Sequence, residues 1–428
     1  MNAVPGFETH ILLTILCLVY FTISFFNLDV GIVLISLAML FSPEISVGST
    51  DIRSVVVRVE DLLIIVLSFA WVAQIAIRRD QKLFLRTPMN APIFALLLLS
   101  FLSSCWGIAR GWVVPLTSMF YLVKTIEFFM IFFLISSYVR SEQKIRLFIF
   151  FAILTVSLVG IYAITQVPTV EIFSDRRITA PFEGNKPEPA TIGGYMAFLL
   201  LIIISLTLYE KDKRMRWVYG VLGLIILVPF LYTLNRTSYA AFIGGLVLIS
   251  IIEKRKWLRY VLLALLIASP LWLPASIKDR IAYTWYDARN PGRDLGVDQS
   301  FQERIYSFKT VWNNLQSSPL IGQGVTSYYS DNQYARTLNE IGIIGLGFWI
   351  WIFVRLFKIS IWLYDYLDGG ILKGLVLGYR AGLVGLLVHA FGAPTFYIVR
   401  IMEPFWFLSG LVMALYLLKV KESRLINP

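Results

Sequence analysis

Apolar runs of near-membrane length recur almost from end to end of the chain, separated by short polar connections. They fall at about 11–27, 29–42, 61–77, 91–109, 116–138, 145–166, 190–209, 217–233, 237–252, 257–275, 338–357, 371–391 and 402–419. A spanning helix needs roughly 20 predominantly apolar residues, and most of these runs approach that length. The pattern predicts thirteen candidate spans, or twelve if the first two, which share the break Asn27-Leu28-Asp29, form one element. The expected fold class is an all-α polytopic membrane protein with one long external loop.

Charge adds an orientation. Arg78-Arg79-Asp80-Gln81-Lys82 runs on to Arg86; Arg140, Lys144 and Arg146 follow, then Lys211, Lys213, Arg214 and Arg216, then Lys254, Arg255, Lys256 and Arg259. Arg355, Lys358 and Lys373 come next, and Lys419, Lys421 and Arg424 close the chain. These clusters occupy alternate connections, so the positive-inside rule makes that side cytoplasmic, with the C-terminus on it. The other side then carries about 167–189, 234–236, 276–337 and 392–401. The first run lacks a basic n-region and a small-residue cleavage site, which predicts a retained span.

Composition agrees. Hydrophobic residues make up 57% and charged residues 15%, with a mean hydropathy of +0.72. A soluble domain has about 45–50% apolar and about 25% charged residues, so soluble, disordered and nucleic-acid-binding classes are excluded. The net charge of +11 is an orientation signal. Cys17 and Cys105 lie in apolar runs, and His10 and His389 are far apart. Neither a disulfide framework nor a multi-histidine metal centre is expected.

The segment 276–337 breaks the rule of short connections, and such loops are usually functional. A helix is expected from Phe301 to Leu315, with capping residues in Asp298-Gln299-Ser300. The chain reads as one membrane domain: 1–275 as an N-terminal helix bundle, 276–337 as an external subdomain and 338–428 as C-terminal spans.

Ionisable groups in or beside spans are functional candidates by default. The external side holds Arg176, Arg177, Lys186, Arg236, Arg304, Arg336 and Arg400, where positive charge is disfavoured. Several lie at span ends, and together they suggest a pocket for an anion such as phosphate, which arginine forks suit. Arg236 stands between two apolar runs in Tyr232-Thr233-Leu234-Asn235-Arg236-Thr237-Ser238; the competing interpretation is a snorkelling arginine. Arg176-Arg177 precede the rigid run Pro181-Phe182-Glu183-Gly184-Asn185-Lys186-Pro187-Glu188-Pro189, where two solvated arginines are the alternative. Arg304, Phe308 and Trp312 share a face of the expected loop helix, which also suits an interfacial helix anchored by Trp312. The turn Pro319-Leu320-Ile321-Gly322-Gln323-Gly324 follows. Then Asp331-Asn332-Gln333-Tyr334-Ala335-Arg336 leads through Glu340 to Gly342 and Gly345, two glycines that permit close backbone approach. Asp331 is a candidate base or a salt-bridge partner of the arginines.

These motifs together resemble the O-antigen ligase and polymerase superfamily of bacterial cell envelopes. Asp331-Asn332, nine residues, Gly342, two residues and Gly345 match the spacing of its ligase motif. Leu234-Asn235-Arg236-Thr237-Ser238 is similar to its span-end arginine. Glu303-Arg304 with Trp312 and the 319–324 turn is similar to its long-loop arginine. The ligase motif opens on a histidine, proposed there as base; here that position is Asp331, which favours the polymerase branch. The resemblance implies a GT-C-like, inverting glycosyltransferase with no metal and no other cofactor. It implies donor and acceptor glycans on undecaprenyl pyrophosphate and a bacterial inner membrane. A flippase and a chain-length regulator are the expected partners beside the bilayer.

On that basis Asp331, Arg236 and Arg304 are the expected catalytic residues. Arg177, Asn332, Tyr334, Arg336, Glu340, His389 and Arg400 are expected to bind substrate. His389 is also a second candidate base, although a lone span histidine is more often a hydrogen-bonded interior residue. Three functions stand: polymerase of lipid-linked repeat units, ligase onto lipid A core or protein, and secondary transporter of an anionic solute. The last lacks the expected internal repeat. Lys124 and Glu127, three residues apart inside one span, are expected to form a structural ion pair.

Overall fold

The computed structural model describes residues 7–49, 54–78, 85–170, 177–182, 188–253, 259–260, 263–264, 267–268, 274–282 and 299–426. Its helices in chain order are α1 (Phe7–Phe26), α2 (Leu28–Phe41), α3 (Val59–Arg78), α4 (Asn90–Ala109), α5 (Pro115–Tyr138), α6 (Glu142–Gln166) and α7 (Pro189–Tyr209). Then come α8 (Lys213–Tyr232), α9 (Arg236–Ile252), α10 (Ala275–Ala282), α11 (Gln299–Leu315), α12 (Gln333–Tyr366), α13 (Ile371–His389) and α14 (Val399–Ile426). Nine described helices are long and apolar enough to cross a membrane. Three shorter apolar ones span Ile11–Phe26, Leu28–Phe41 and Arg236–Ile252. The expected run at 257–275 lies largely outside the described residues. The protein is an all-α polytopic membrane protein.

Local chemistry sets the helix starts. Asn27, Ser141, Asp212, Asn235 and Asn332 each accept a backbone N–H of the helix that follows, satisfying donors that a helix start otherwise leaves orphaned. Pro115 and Pro189 open α5 and α7, where their missing N–H costs nothing. Asn27 makes the break between α1 and α2 a true helix boundary.

One departure from the all-helical expectation is a short antiparallel hairpin, β1 (Glu44–Ser49) with β2 (Ser54–Arg58). It runs from Glu44 opposite Arg58 to Ser49 opposite Ser54, with a bulge between Ser46 and Gly48. Strands this short leave no signal in a pattern sought at span length. The hairpin feeds α3 directly: Asp61 accepts the Arg58 N–H at 2.8 Å, a return bond across the helix start.

α7, α13 and α14 are the most enclosed spans and α8 the least. α13 comes so near α7 that a Cβ on Gly378 would lie 2.5 Å from Ile202 Cα. Large apolar side chains such as Leu12, Phe94, Trp217 and Leu224 point outward, as a lipid-facing surface requires. At one end of the bundle, Lys144 bonds Asp29 at 2.9 Å, Lys419 pairs with Glu142 at 2.6 Å, and Tyr209 and Tyr364 both donate to Glu253. Those residues flank the basic connections. The polar candidates gather at the other end.

α12 is broken near its start. Gly342 takes φ 68° and ψ −171° inside it, a conformation that only glycine adopts without strain. The loop 319–324 supplies the bonds the break removes. Gln323 and Gly324 donate to Asn339 O and Glu340 O, both at 2.9 Å, and Ile343 and Ile344 donate to Pro319 O and Leu320 O at 3.0 and 3.2 Å. Ser103 on α4 adds a bond to Glu340 O at 2.6 Å. Non-helical backbone is tolerated at membrane depth when protein satisfies it in this way.

Candidate functional site

The connection between α13 and α14, residues 390–398, is the meeting point of three other elements. It begins at His389 and contains a 3-10 turn at Thr395–Tyr397. The starts of α9 and α12 and the face of α11 all pack on it.

Gly392 lies between α9 and α11. A Cβ there would fall 2.7 Å from Thr237 Oγ1 and 2.8 Å from both Cζ and Nη2 of Arg304. Arg304 Nη2 donates to Gly392 O at 3.3 Å. Arg304 is half-buried on α11, at the end of a buried stripe through Ser307 and Val311, while Phe308 and Trp312 are exposed. Arg236 is the half-buried first residue of α9 and Thr237 the second, so both sit at a helix start capped by Asn235. The structure thus gathers Arg304 and the helix start that carries Arg236 around one turn. Two guanidinium groups near a helix N-terminus favour an anion through charge, N–H donors and the helix dipole.

His389 is fully buried. Its Nε2 lies 3.1 Å from Ser238 Oγ and its Nδ1 2.8 Å from Thr395 Oγ1. Ser238 also bonds Asn235 Oδ1. The imidazole therefore fastens the start of α9 to the 3-10 turn, which is the work of a positioning residue.

The start of α12 reaches the same connection. Gln333 N donates to Ala390 O at 2.9 Å, Phe396 N donates to Gln333 Oε1 at 3.1 Å, and Tyr334 OH donates to Leu387 O at 2.7 Å. The Tyr334 and Phe391 rings lie 4.5 Å apart. Asp331 stands exposed just before this helix, whereas Asn332 is buried and spends its Oδ1 on the Ala335 N–H at 3.1 Å.

Arg336 and Glu340 form a pair under the connection. Arg336 Nε donates to Glu340 Oε1 at 2.9 Å, and both side chains are almost wholly buried. The guanidinium lies 3.6 Å from the Tyr397 ring centroid, and its Nη1 has no hydrogen-bond partner among the described residues. Glu340 also accepts from Thr326 N at 2.9 Å and from Tyr397 OH. Burial and the Glu340 carboxylate push the Tyr397 phenol well above its ordinary pKa, so it stays a donor.

Arg400 is buried, and its guanidinium donates to the backbone carbonyls of Pro181, Leu40 and Ser42 at 2.5, 3.3 and 3.5 Å. It ties the start of α14 to the end of α2 and to the loop at Pro181. Arg177 is half-buried beside the interior residues Ile178 and Ala180. Arg176 and Lys186 lie outside the described residues.

The expected Lys124–Glu127 pair is present at 3.3 Å, but it belongs to a larger group. Lys124 also contacts Asp61. One carboxylate oxygen each from Glu60, Asp61 and Glu403 lies within 4.8 Å of the others, all three residues buried. These three are the described residues whose donor set suits a metal ion.

Sequence reasoning missed the neutral members of the site. Thr237, Ser238, Gly392, Thr395, Gln333 and Tyr397 carry no net charge, and Thr237 and Ser238 were visible only as neighbours of Arg236. Residues 221–350 match the family model described as O-antigen ligase. No curated protein matches the chain. The matched segment contains Arg236, Arg304, Asp331, Gly342 and Gly345, and over it the chain is similar to that family.

Proposed function

We propose that the protein is a glycosyltransferase that polymerises undecaprenyl-pyrophosphate-linked oligosaccharide units into O-antigen, capsule or exopolysaccharide. The family match supports an enzyme of ligase or polymerase type acting on lipid-linked glycans in a membrane. The single observation that carries the finer reading is the meeting of Arg304 and the Arg236-bearing start of α9 at Gly392, beside the Asp331-bearing start of α12.

In the proposed reaction an acceptor sugar hydroxyl attacks the anomeric carbon of the donor sugar. The new C–O bond forms as the bond to pyrophosphate breaks, with inversion, and undecaprenyl pyrophosphate departs. Pyrophosphate is already a good leaving group, so the main demand is stabilisation of its developing charge. Arg236, Arg304 and the α9 N-terminus are fixed donors suited to that task without a metal. Asp331 orients the acceptor hydroxyl and takes its proton, which passes to water. Its exposure suits exchange with an incoming glycan. Arg177 is a third contact for the donor, and Tyr334 and Phe391 form an aromatic wall beside it. Asn332, Arg336, Glu340, His389 and Arg400 hold the surrounding backbone.

The basic connections lie at the opposite end of the bundle, and by the positive-inside rule this supports a site on the external side of a bacterial inner membrane. The second reading, a ligase, is favoured by the match to an O-antigen ligase family over residues 221–350. Aspartate at position 331 in place of the ligase histidine favours polymerase. The acceptor decides: incubation with the lipid-linked donor alone yields a ladder from a polymerase, whereas a ligase transfers only when lipid A core or protein is added. Solute flux in liposomes without any glycan product would instead point to a transporter.

A further inference from the structure

The carboxylates beneath α14 form a group that the proposed chemistry does not use. Glu60 and Asp61 lie in the first turn of α3 and Glu403 in the first two turns of α14. Glu403 is fully buried, and among the described residues neither of its carboxylate oxygens has a hydrogen-bond partner; Glu60 Oε2 is likewise unsatisfied. Lys124 joins the cluster through ion pairs with Asp61 and Glu127. Arg58 Nη1 approaches Glu60 Oε1 only to 3.8 Å.

The charges do not balance. Glu60, Asp61, Glu127 and Glu403 bring four negative charges when ionised, and Lys124 and Arg58 return two. Arg400, one turn before Glu403, directs its hydrogen bonds to three backbone carbonyls, and counting it still leaves an excess of one. A buried, uncompensated carboxylate is strongly disfavoured. What the group lacks is a partner for Glu403, whose two carboxylate oxygens have no hydrogen-bond partner among the described residues.

We propose that Glu60, Asp61 and Glu403 bind one hard divalent metal ion of calcium size. An all-carboxylate oxygen set selects hard cations over zinc or copper. Calcium accepts oxygens at about 2.3–2.6 Å in irregular geometry, whereas magnesium demands about 2.0–2.1 Å and a regular octahedron with retained waters. The oxygens' mutual spread of up to 4.8 Å suits the larger ion. The ion would join the start of α3 to the start of α14, and so hold the helix that follows the 390–398 connection. This inference is independent of the proposed reaction.

The test uses the full-length protein in detergent, stripped with EDTA and exchanged into metal-free buffer. Its melting temperature is then followed against CaCl2, with NaCl as an ionic-strength control, and the metal content of untreated protein is measured by mass spectrometry. The expected result is about one calcium per chain, one ion for the single three-carboxylate group, and a saturable rise in melting temperature. Glu403→Gln should abolish that rise, while the exposed Glu422→Gln should retain it. Absence of both metal and calcium-dependent stabilisation in the wild type would overturn the proposal, as would a full shift in Glu403→Gln; the carboxyls would then be held protonated. The wild-type arm decides even if Glu403→Gln fails to fold.

Discussion

Gly322 and Gly342 cross with their backbones in contact. A Cβ on either would lie 2.6 Å from the amide nitrogen of the other, and both take positive φ, 73° and 68°. This crossing lets the 319–324 loop pair with the broken start of α12, and so fixes the helix end that carries Arg336 and Glu340 and that Asp331 precedes.

Alanine at either glycine should therefore damage the site from a distance. The strained φ alone costs of order 1–3 kcal/mol, before the collision is added. Gly342→Ala is expected to lower the melting temperature and abolish product. Gly347→Ala, where a Cβ meets open space, should leave both unchanged or gain up to about 1 kcal/mol in helix propensity. Equal behaviour of the two variants would remove the crossing from the account.

Arg236→Ala and Arg304→Ala should each abolish polymer while leaving protein level and melting temperature near wild type. Loss of one preorganised charge-stabilising donor typically lowers turnover by about 10²–10³. Radiolabelled product from membranes, normalised to protein, measures the effect. Polymer retained in both would sink the pyrophosphate assignment.

Asp331→Asn keeps the shape of the side chain and removes its basicity. Turnover should fall far more than binding of the lipid-linked donor, measured in parallel on the same preparation. Near-normal turnover would remove Asp331 from the proton transfer and leave it to the substrate itself.

The Arg336–Glu340–Tyr397 group gives a stability prediction with a pH signature. Glu340→Ala leaves Arg336 buried and uncompensated, which should cost about 3–5 kcal/mol. Tyr397 has a folded-state pKa above its unfolded value of about 10. Its contribution is thus complete below about pH 10 and is lost as pH rises further, because the unfolded chain releases the phenolic proton first. Melting temperatures between neutral and alkaline pH should fall less steeply at the alkaline end for Tyr397→Phe. Parallel curves would contradict the assignment.

The spans were legible because a membrane demands long apolar runs, and α3 to α9 and α13 fall within a few residues of the expected bounds, whereas α12 (Gln333–Tyr366) and α14 (Val399–Ile426) overrun the expected 338–357 and 402–419 at both ends. The β1–β2 hairpin was not, since five or six residues make no span-length pattern. At the site, charge made Arg236, Arg304 and Asp331 visible. The same signal does not distinguish an arginine poised for a ligand from one committed to the fold. Arg400 bonds three carbonyls and Arg336 pairs with Glu340, yet in sequence both looked like members of an anion pocket. Asn332 appeared as a candidate contact and is a helix cap. The Glu60, Asp61, Glu127 and Glu403 group was hidden by its spread over three helices; only Lys124 and Glu127, on one helix, showed themselves as neighbours.

The most direct test of the central claim uses purified protein, a native undecaprenyl-pyrophosphate oligosaccharide and EDTA, at a temperature where the stripped protein remains folded. Wild type is run beside Arg236→Ala and Arg304→Ala, and products are resolved on a gel. A ladder of longer lipid-linked glycans is expected in the wild type and none in either variant. A ladder undiminished in the variants, or transfer that appears only once lipid A core or protein is supplied, would contradict the claim.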